Sequence, residues 1–170
     1  TNQYVNGPDL NTPYAMGTSS TPFTFEVWAK PSGTTNSGIL LDETGNVAQN
    51  GWHDSWIEFA GGNIRIGVWS NGSGFSLGAY TANNWYQIVM TYTGTVLTGY
   101  VNSVQQYTGS VTRTGPGTAI YYPLGLNDFT SLGNGAYYSG SIGAMRYYNR
   151  ALTAAEVLQN FRNLGYRYGL

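Results

Sequence analysis

The sequence is short of charge, of histidine and of cysteine. Only 9% of its 170 residues are charged, against roughly 25% in an average soluble protein. It contains no cysteine, which excludes a disulfide framework, a thiol nucleophile and a thiolate metal site. His53 is the single histidine in the sequence, which excludes the zinc sites that need two or more histidines.

Long apolar runs and an excess of cations are also missing. No apolar stretch approaches the ~20 residues that span a bilayer, so membrane insertion is not expected. Seven Lys and Arg against eight Asp and Glu give a net charge of −1, which argues against a nucleic-acid partner. The chain starts at Thr1, which predicts either a processed N-terminus or a piece of a longer polypeptide.

Glycine, aromatic residues and alternating patterns are abundant instead. Glycine contributes 24 residues and aromatics 15% of the chain. The segment 23–30 alternates strictly and predicts a strand with two distinct faces. One face carries Phe23, Phe25, Val27 and Ala29, and the other carries Thr24, Glu26, Trp28 and Lys30.

Further strands are predicted at 38–42, 55–59, 63–69, 85–92, 96–101 and 140–148, with Gly61-Gly62 as a tight hairpin turn. Residues 108–140 show little periodicity and are interpreted as long loops with one or two short strands. Strands at such regular spacing predict an all-β protein, a two-sheet antiparallel sandwich or barrel. No linker or repeat divides the chain, so we expect a single domain over 1–170.

One helix is predicted near the C-terminus, at about 153–164. Thr153 and Glu156 have the spacing of a capping box. Leu158 and Phe161 lie three residues apart on an apolar stripe. Gly165 is predicted to end the helix as a left-handed residue.

Several segments resemble the laminin-G-like, concanavalin A-like jelly rolls. Residues 140–158 (GSIGAMRYYNRALTAAEVL) are similar to the closing strand and short helix of that family. Residues 23–31 are similar to a strand near its start, residues 84–94 to its central strand, and residues 96–102 to the strand after it. The tail 156–170 resembles the tails of such domains in phage and other virus structural proteins.

The resemblance implies a concanavalin A-like jelly roll of two antiparallel sheets with one short C-terminal helix. The sequence departs from the family at two places: Gly143-Ala144 stand where the family has an acidic pair, and Thr93 stands where an acidic residue is common. Any calcium or polar role of those positions is therefore not carried over.

Glycoside hydrolysis is the enzymatic use that such a fold implies. It needs two carboxylates ~5–9 Å apart, and the E-x-D-x-x-E cluster of the related glucanases is absent. Asp54 and Glu58 share a strand face, but four residues of extended strand separate them by ~13 Å. We therefore predict no catalytic residues and no enzymatic activity, with a glycoside hydrolase kept as the last alternative.

A calcium site is a further candidate. Calcium takes six to eight oxygen ligands, largely from carboxylates and loop carbonyls. The segments around Asp42 and Glu43 and around Asp128 are rich in such oxygens. If they converge they would bind calcium; otherwise these residues are ordinary turn formers. No other cofactor is implied.

Carbohydrate binding needs a flat apolar ring with a few hydroxyl or amide partners. The candidate residues are Trp52, Trp56, Trp69, Tyr80, Asn71 and Asn127. The competing interpretation is that these aromatic rings pack in the core or on a sheet face.

The charges are unevenly distributed along the chain. Residues 131–170 carry four arginines against one glutamate, whereas residues 1–130 carry three cations against seven acids. Opposite patches favour contact between copies of one chain. The alternative is that the arginines simply complement the helix C-terminus.

The function that we predict is a non-enzymatic surface or virion structural protein of lectin-like fold, extracellular or on a virion surface. Its expected partners are glycans, a cell or virion surface, copies of itself and other shell proteins. The alternative is a secreted carbohydrate-binding module of a larger protein.

Overall fold

The computed structural model of the chain describes residues 5–6, 19–35, 38–44, 53–68, 74–113, 123–125 and 137–170. Helix α1 spans Ala154–Leu164 and continues as a 3-10 helix over Gly165–Tyr168. The strands are β1 Val5–Asn6, β2 Phe23–Pro31, β3 Gly38–Thr44, β4 His53–Ala60, β5 Asn63–Gly67, β6 Phe75–Ala79, β7 Tyr86–Tyr92, β8 Val96–Val101, β9 Val104–Ser110, β10 Pro123–Leu124 and β11 Gly140–Tyr148.

The strands pair antiparallel and divide into two sheets. The six-stranded sheet has the order β1-β10-β3-β4-β5-β6, and the five-stranded sheet has the order β11-β2-β7-β8-β9. The predicted two-sheet antiparallel architecture with a short C-terminal helix is confirmed. None of the helical segments in these ranges has the length and hydropathy needed to cross a membrane.

The apolar faces of the two sheets meet in one core. The predicted apolar face of β2 lies fully buried in this core, with the residues Phe23, Phe25, Val27 and Ala29. The six-stranded sheet contributes Leu41, Ile57, Phe59, Ile64 and Ile66, among others. Burying one such side chain stabilises the fold by about 1.5–3 kcal/mol, so this interface holds the sheets together.

Two tight hairpins set the pairing of neighbouring strands. Gly61 and Gly62 join β4 to β5 with φ of 57° and 77°, which confirms the predicted turn. Asn102 and Ser103 join β8 to β9 with φ of 50° and 66°, the same pattern of two positive φ values that type I′ turns require. The second hairpin was not predicted, because the side chains of β9 are polar and mostly exposed and give no apolar alternation.

The outward face of β2 is buried as well, although antiparallel sheets often leave the face with polar residues open to water. Thr24, Glu26 and Trp28 are all 0% exposed. Helix α1 and the 3-10 helix account for this, because the rings of Phe161 and Tyr168 stack on Trp28 at centroid distances of 5.9 Å and 4.7 Å. The five-stranded sheet is therefore covered on both faces at β2.

Glu26 is the charged centre of this second interface. Its Oε1 accepts hydrogen bonds from Trp28 Nε1 and Gln87 Nε2, both at 2.9 Å. Its Oε2 accepts one from Asn160 Nδ2 of α1 at 2.7 Å and lies 3.5 Å from Arg146 Nη1. A buried carboxylate needs such partners, and here they come from β2, β7, β11 and α1.

The chain enters α1 through a second set of polar contacts. Thr24 Oγ1 accepts from the Leu152 N–H and donates to the Arg150 carbonyl, both at 2.9 Å. The predicted capping box is confirmed, since Glu156 N–H donates to Thr153 Oγ1 and Thr153 N–H donates to Glu156 Oε2. Arg150 adds two hydrogen bonds to the Glu156 carboxylate, at 3.0 Å and 2.7 Å.

The predicted left-handed end at Gly165 is wrong. Gly165 has right-handed helical angles (φ −53°, ψ −40°), and the left-handed residue is Gly169 at φ 75°. The continuation places Tyr168 against Trp28 and also against Trp85, whose ring centroid is 4.6 Å away. Tertiary packing of this tyrosine thus overrides the local preference of glycine for the left-handed end.

We expect Glu26→Ala to lower the free energy of unfolding by about 3–5 kcal/mol, because it leaves several buried donors without the carboxylate that accepts their hydrogen bonds. Glu26→Gln keeps the volume but turns an acceptor into a donor, and should cost about 1–3 kcal/mol. Urea denaturation followed by tryptophan fluorescence measures both. Gln105→Ala on exposed β9 is the control, expected within about 0.5 kcal/mol of wild type. Equal midpoints for Glu26→Ala and wild type would contradict the role of Glu26.

The capping box predicts an acid-sensitive helix end. Hydrogen bonds from Arg150, then from Thr153, lower the pKa of Glu156 from 4.5 to about 2. A pKa that is lower in the folded state stabilises the fold above pH 4.5, and this contribution is lost as the pH falls towards 2. Glu156→Gln should remove that part of the acid dependence when urea midpoints are compared between pH 6 and pH 2. An identical pH profile for the two proteins would refute the prediction.

Candidate functional site

The outer face of the six-stranded sheet, turned away from the core, carries a cluster of ring and charged side chains. Ile57 and Phe59 of β4 point into the core. Trp56 and Glu58, which alternate with them along the strand, therefore point outward. The strand register places Trp56 opposite both Asp42 and Gly67. We call this surface the outer β4 face. Its members are Asp42, Trp56, Glu58, Asn63, Arg65, Gly67 and Ser76.

Trp56 lies across the neighbouring strand instead of standing clear of it. A Cβ atom on Gly67 would overlap the six-membered part of the indole, and one on Gly74 would lie 3.1 Å from it. The half-buried ring therefore occupies the space that two glycines leave empty. A glycine opposite an aromatic residue lets the ring approach the backbone closely, which holds the indole in a defined position.

Glu58 is the central charge of the outer β4 face. Its side chain is 12% exposed, and Arg65 Nη1 lies 3.4 Å from its Oε1. Burial raises the pKa of Glu58 above its ordinary 4.5, and the charge of Asp42 acts in the same direction. The Arg65 guanidinium and a hydrogen bond from the Trp56 side chain oppose this increase in pKa.

Small polar groups extend the face beyond Arg65. Ser76 lies opposite Arg65 in the strand register, and its Oγ donates to Asn63 Oδ1 at 3.2 Å. Asn63 Nδ2 donates to the Gly61 carbonyl at 3.0 Å. Ser76 is exposed, so a hydroxyl and an amide are available at the edge nearest β6.

The structure describes two of the six predicted sugar-binding residues, Trp56 and Tyr80, and places them on opposite faces of the sheet. Trp56 lies on the outer β4 face, whereas the ring of Tyr80 is 7% exposed in the core and packs edge-on against Phe59 at 4.8 Å. Tyr80 therefore presents no face to solvent, and we leave it out of the site. The other four predicted residues lie outside the described residues: Trp52, Trp69, Asn71 and Asn127.

Of the three predicted calcium residues, Asp42 alone has its side chain in the described part of the chain. Asp42 lies on β3, 1% exposed, and acts electrostatically on Glu58. The Glu43 side chain and all of Asp128 fall outside the description. Within the described ranges no three His, Cys, Asp or Glu groups gather in a way that could hold a metal ion. The Arg65 cation lies 3.4 Å from the Glu58 carboxylate and would repel a calcium ion at that carboxylate.

Sequence reasoning paired Glu58 with Asp54 and missed Arg65. The signal was present in the Gly61-Gly62 turn, because a two-residue hairpin pairs Ala60 with Asn63 and therefore Glu58 with Arg65. The same register puts Trp56 opposite Gly67. The Asp54 side chain lies outside the described residues.

Comparison with known proteins gives a family match and several structural relatives. The family model described as the concanavalin A-like lectin/glucanases superfamily matches residues 1–158. None of the curated proteins matches the chain in sequence.

Three solved structures illustrate the likeness. Domain 4 of AbnA, an extracellular arabinanase from Geobacillus stearothermophilus solved with arabinotriose, has a TM-score of 0.64 and 17% identity, over 92% of this chain and 71% of that one. The heptameric SAP-like pentraxin from Limulus polyphemus has a TM-score of 0.59 and 16% sequence identity, over 82% of this chain and 69% of that one. A botulinum neurotoxin type C structure has a TM-score of 0.64 and 11% sequence identity, over 95% of this chain and 42% of that one. At these identities the likeness concerns the fold alone.

The Glu58 environment gives a direct test of this geometry. Because Arg65 is the strongest influence that lowers the pKa of Glu58, Arg65→Met should raise that pKa further, and Trp56→Phe should raise it less. Carboxyl ¹³C NMR titration measures both values. Arg162→Met, on helix α1, is the matched control and should leave the pKa of Glu58 unchanged. A Glu58 pKa at or below 4.5 in the wild type would contradict its burial.

Proposed function

The chain belongs to the concanavalin A-like lectin/glucanase superfamily, and from this premise we propose that it binds glycans through the outer β4 face. The proposed binding residues are Trp56, Glu58, Arg65, Asn63 and Ser76. The observation that carries the proposal is the Trp56 indole, held against Gly67 beside a carboxylate–guanidinium pair.

A pyranose or furanose ring has an apolar face and a rim of hydroxyl groups. The apolar face would stack on the side of the Trp56 ring that is turned away from Gly67, in the manner of aromatic binding sites. Because Gly67 and Gly74 hold the ring in place, little conformational entropy is lost when the sugar binds.

The hydroxyl rim would meet the charged and polar groups next to the ring. Glu58 accepts hydrogen bonds, Arg65 donates them, and the Ser76 hydroxyl does both. A hydrogen bond to an ionised group contributes more than one between neutral partners. The succession of ring, anion, cation and hydroxyl over three strands suits an oligosaccharide lying across β4, β5 and β6.

The comparisons support a glycan as the partner. Domain 4 of the arabinanase was solved with arabinotriose, and cell entry of the type C neurotoxin depends on interaction with two ganglioside molecules. We propose that the chain works as a surface protein, extracellular or on a virion, with adhesion as its role. The alternative is a secreted carbohydrate-binding module of a larger protein, for which the extracellular arabinanase is the supporting comparison.

Assembly with copies of itself or with other shell proteins is a separate proposal. It is supported by the concentration of Arg146, Arg150, Arg162 and Arg167 on the side of the five-stranded sheet and α1. Opposite charge elsewhere on the chain would favour contact between neighbours.

Glycoside hydrolysis is the second candidate function, because Asp42 and Glu58 lie diagonally on neighbouring strands. Such positions are about 7–8 Å apart in the backbone, near the ~6.5–9.5 Å between carboxyl groups of inverting glycosidases. Two features favour binding without cleavage: Asp42 is 1% exposed, and Glu58 is paired with Arg65. A catalytic carboxylate has to reach the scissile bond or its water.

Trp56→Ala should weaken glycan binding by about 10–100-fold, which corresponds to the loss of about 1.5–3 kcal/mol from one buried aromatic contact. Titration calorimetry with the strongest glycans from an array measures the change. Gly67→Ala should weaken binding as well, because it displaces the ring without removing it. Tyr166→Ala is the matched control, since Tyr166 is 70% exposed on the far side of the molecule, and it should bind like the wild type.

The outcomes separate the candidate functions. Equal binding by Trp56→Ala and wild type would move the site elsewhere, and release of shorter sugars that stops in Glu58→Gln would replace binding by hydrolysis. Repeating the titration with EDTA tests the predicted calcium residues Asp42, Glu43 and Asp128. If they bind a calcium ion that glycan binding needs, EDTA should abolish glycan binding and added calcium should restore it.

A further inference from the structure

The outward side chains of β2 become accessible at the C-terminal end of the strand. Residues 24–28 are all 0% exposed, whereas the next two outward residues are the half-buried Lys30 and the exposed Ser32. The 3-10 helix contributes the last covering ring, Tyr168, which stacks on Trp28 at 4.7 Å. Beyond this ring, the five-stranded sheet is open to solvent on the side that carries α1.

Side chains from both neighbouring segments lie beside Lys30. The strand register places Ser141 of β11 opposite Lys30, and Ser139 Oγ is hydrogen-bonded to Ser32 Oγ at 2.6 Å. All three serines are exposed. On the other side, Trp85 directly precedes β7, and the Lys30 ammonium lies over its ring, 5.4 Å from the centroid. We call these five residues the Lys30 cluster.

The Lys30 cluster is held in place by backbone contacts. The Ser32 N–H donates to the Ser139 carbonyl at 3.0 Å. The Asn83 N–H donates to the Pro31 carbonyl at 2.7 Å, which fixes the segment before β7 against the end of β2. The Trp85 ring in turn packs against the 3-10 helix, at a centroid distance of 4.6 Å. A ligand would therefore meet preorganised groups, which reduces the entropy lost on binding.

The positive charge of Lys30 is not neutralised by a carboxylate in the described part of the chain. The described ion pairs join Glu26, Glu58 and Glu156 to arginines, and Lys30 takes part in none of them. Its contact with the Trp85 ring orients the ammonium but leaves the net charge in place. The five-stranded sheet with α1 and the 3-10 helix carries five cations against two glutamates, so an anion is attracted to this side.

We propose that the Lys30 cluster is a second glycan-binding site, which takes sugars that carry a carboxylate. The carboxylate would accept hydrogen bonds from the Lys30 ammonium and the Ser141 hydroxyl, and a bond from a charged donor is the stronger kind. Ser32 and Ser139 would bind neighbouring sugar hydroxyls, because a serine hydroxyl both donates and accepts. This site lies on the other sheet from the outer β4 face and does not depend on binding there.

The test is titration calorimetry of the whole chain with tetragalacturonate and with neutral galactotetraose. We expect tetragalacturonate to bind, and Lys30→Met to weaken its binding about tenfold or more, because a charge-assisted hydrogen bond is lost. Lys30→Arg keeps the charge and should retain binding. Arg162→Met is the matched control, since it removes one exposed cation of α1 outside the cluster. Neither methionine variant should change the binding of galactotetraose.

The site can also be located on the wild-type protein. In ¹⁵N NMR spectra, tetragalacturonate should shift the amide signals of Ser32, Ser139 and Ser141. Shifts confined to β4 and β5 would overturn the assignment to the Lys30 cluster. This readout needs no variant, so it decides the question even if Lys30→Met folds poorly.

The other outcomes distinguish this inference from the proposed function. Absence of tetragalacturonate binding, or equal binding by Lys30→Met and wild type, overturns the inference, while the outer β4 face is judged separately by Trp56→Ala. Equal losses in Lys30→Met and Arg162→Met would show general attraction to a positive surface and would also overturn it. Polyglutamate that binds as tightly as tetragalacturonate would identify an acidic polypeptide as the partner instead of a glycan.

Discussion

The fold of this protein depends on one buried carboxylate. Glu26 lies on β2, next to the centre of the five-stranded sheet, where an unpartnered charge would be strongly destabilising. Its two oxygens accept from Trp28, Gln87 and Asn160 and lie near Arg146. Because these partners come from three strands and a helix, the position of α1 over the sheet is set by polar geometry as well as by the stacking of Phe161 and Tyr168 on Trp28.

The sequence was informative where structure depends on near neighbours. The alternation of Phe23, Phe25 and Val27 predicted the core face of β2, and Thr153 with Glu156 predicted the start of α1; both follow from local periodicity and capping. It was uninformative where distant residues decide. The left-handed residue is Gly169 and not the predicted Gly165. The reason is that the Tyr168 ring packs on Trp28, on a strand more than a hundred residues earlier in the chain.

The candidate site shows the same division. Trp56 was recognised from its residue type, but its environment required the register of three strands. The pairing of Glu58 with Arg65 followed from the Gly61-Gly62 turn, whereas the electrostatic influence of Asp42 depends on an irregular pairing of β3 with β4 that no local pattern reveals. Trp56 lies within β4 and Tyr80 directly follows β6, and only the sheet geometry distinguishes a core ring from one on an outer surface.

The glycine at position 67 also shapes how such a protein can change during evolution. It lies in the layer whose outer surface we propose as the binding site. The Glu26 network lies on the outer surface of the other layer, with the apolar core between them. Sheets packed face to face lie about 10 Å apart, and substitutions at that separation usually add independently. Lineages can therefore accumulate replacements around Trp56 and shift ligand preference while selection on the helix-covered side continues to maintain the fold.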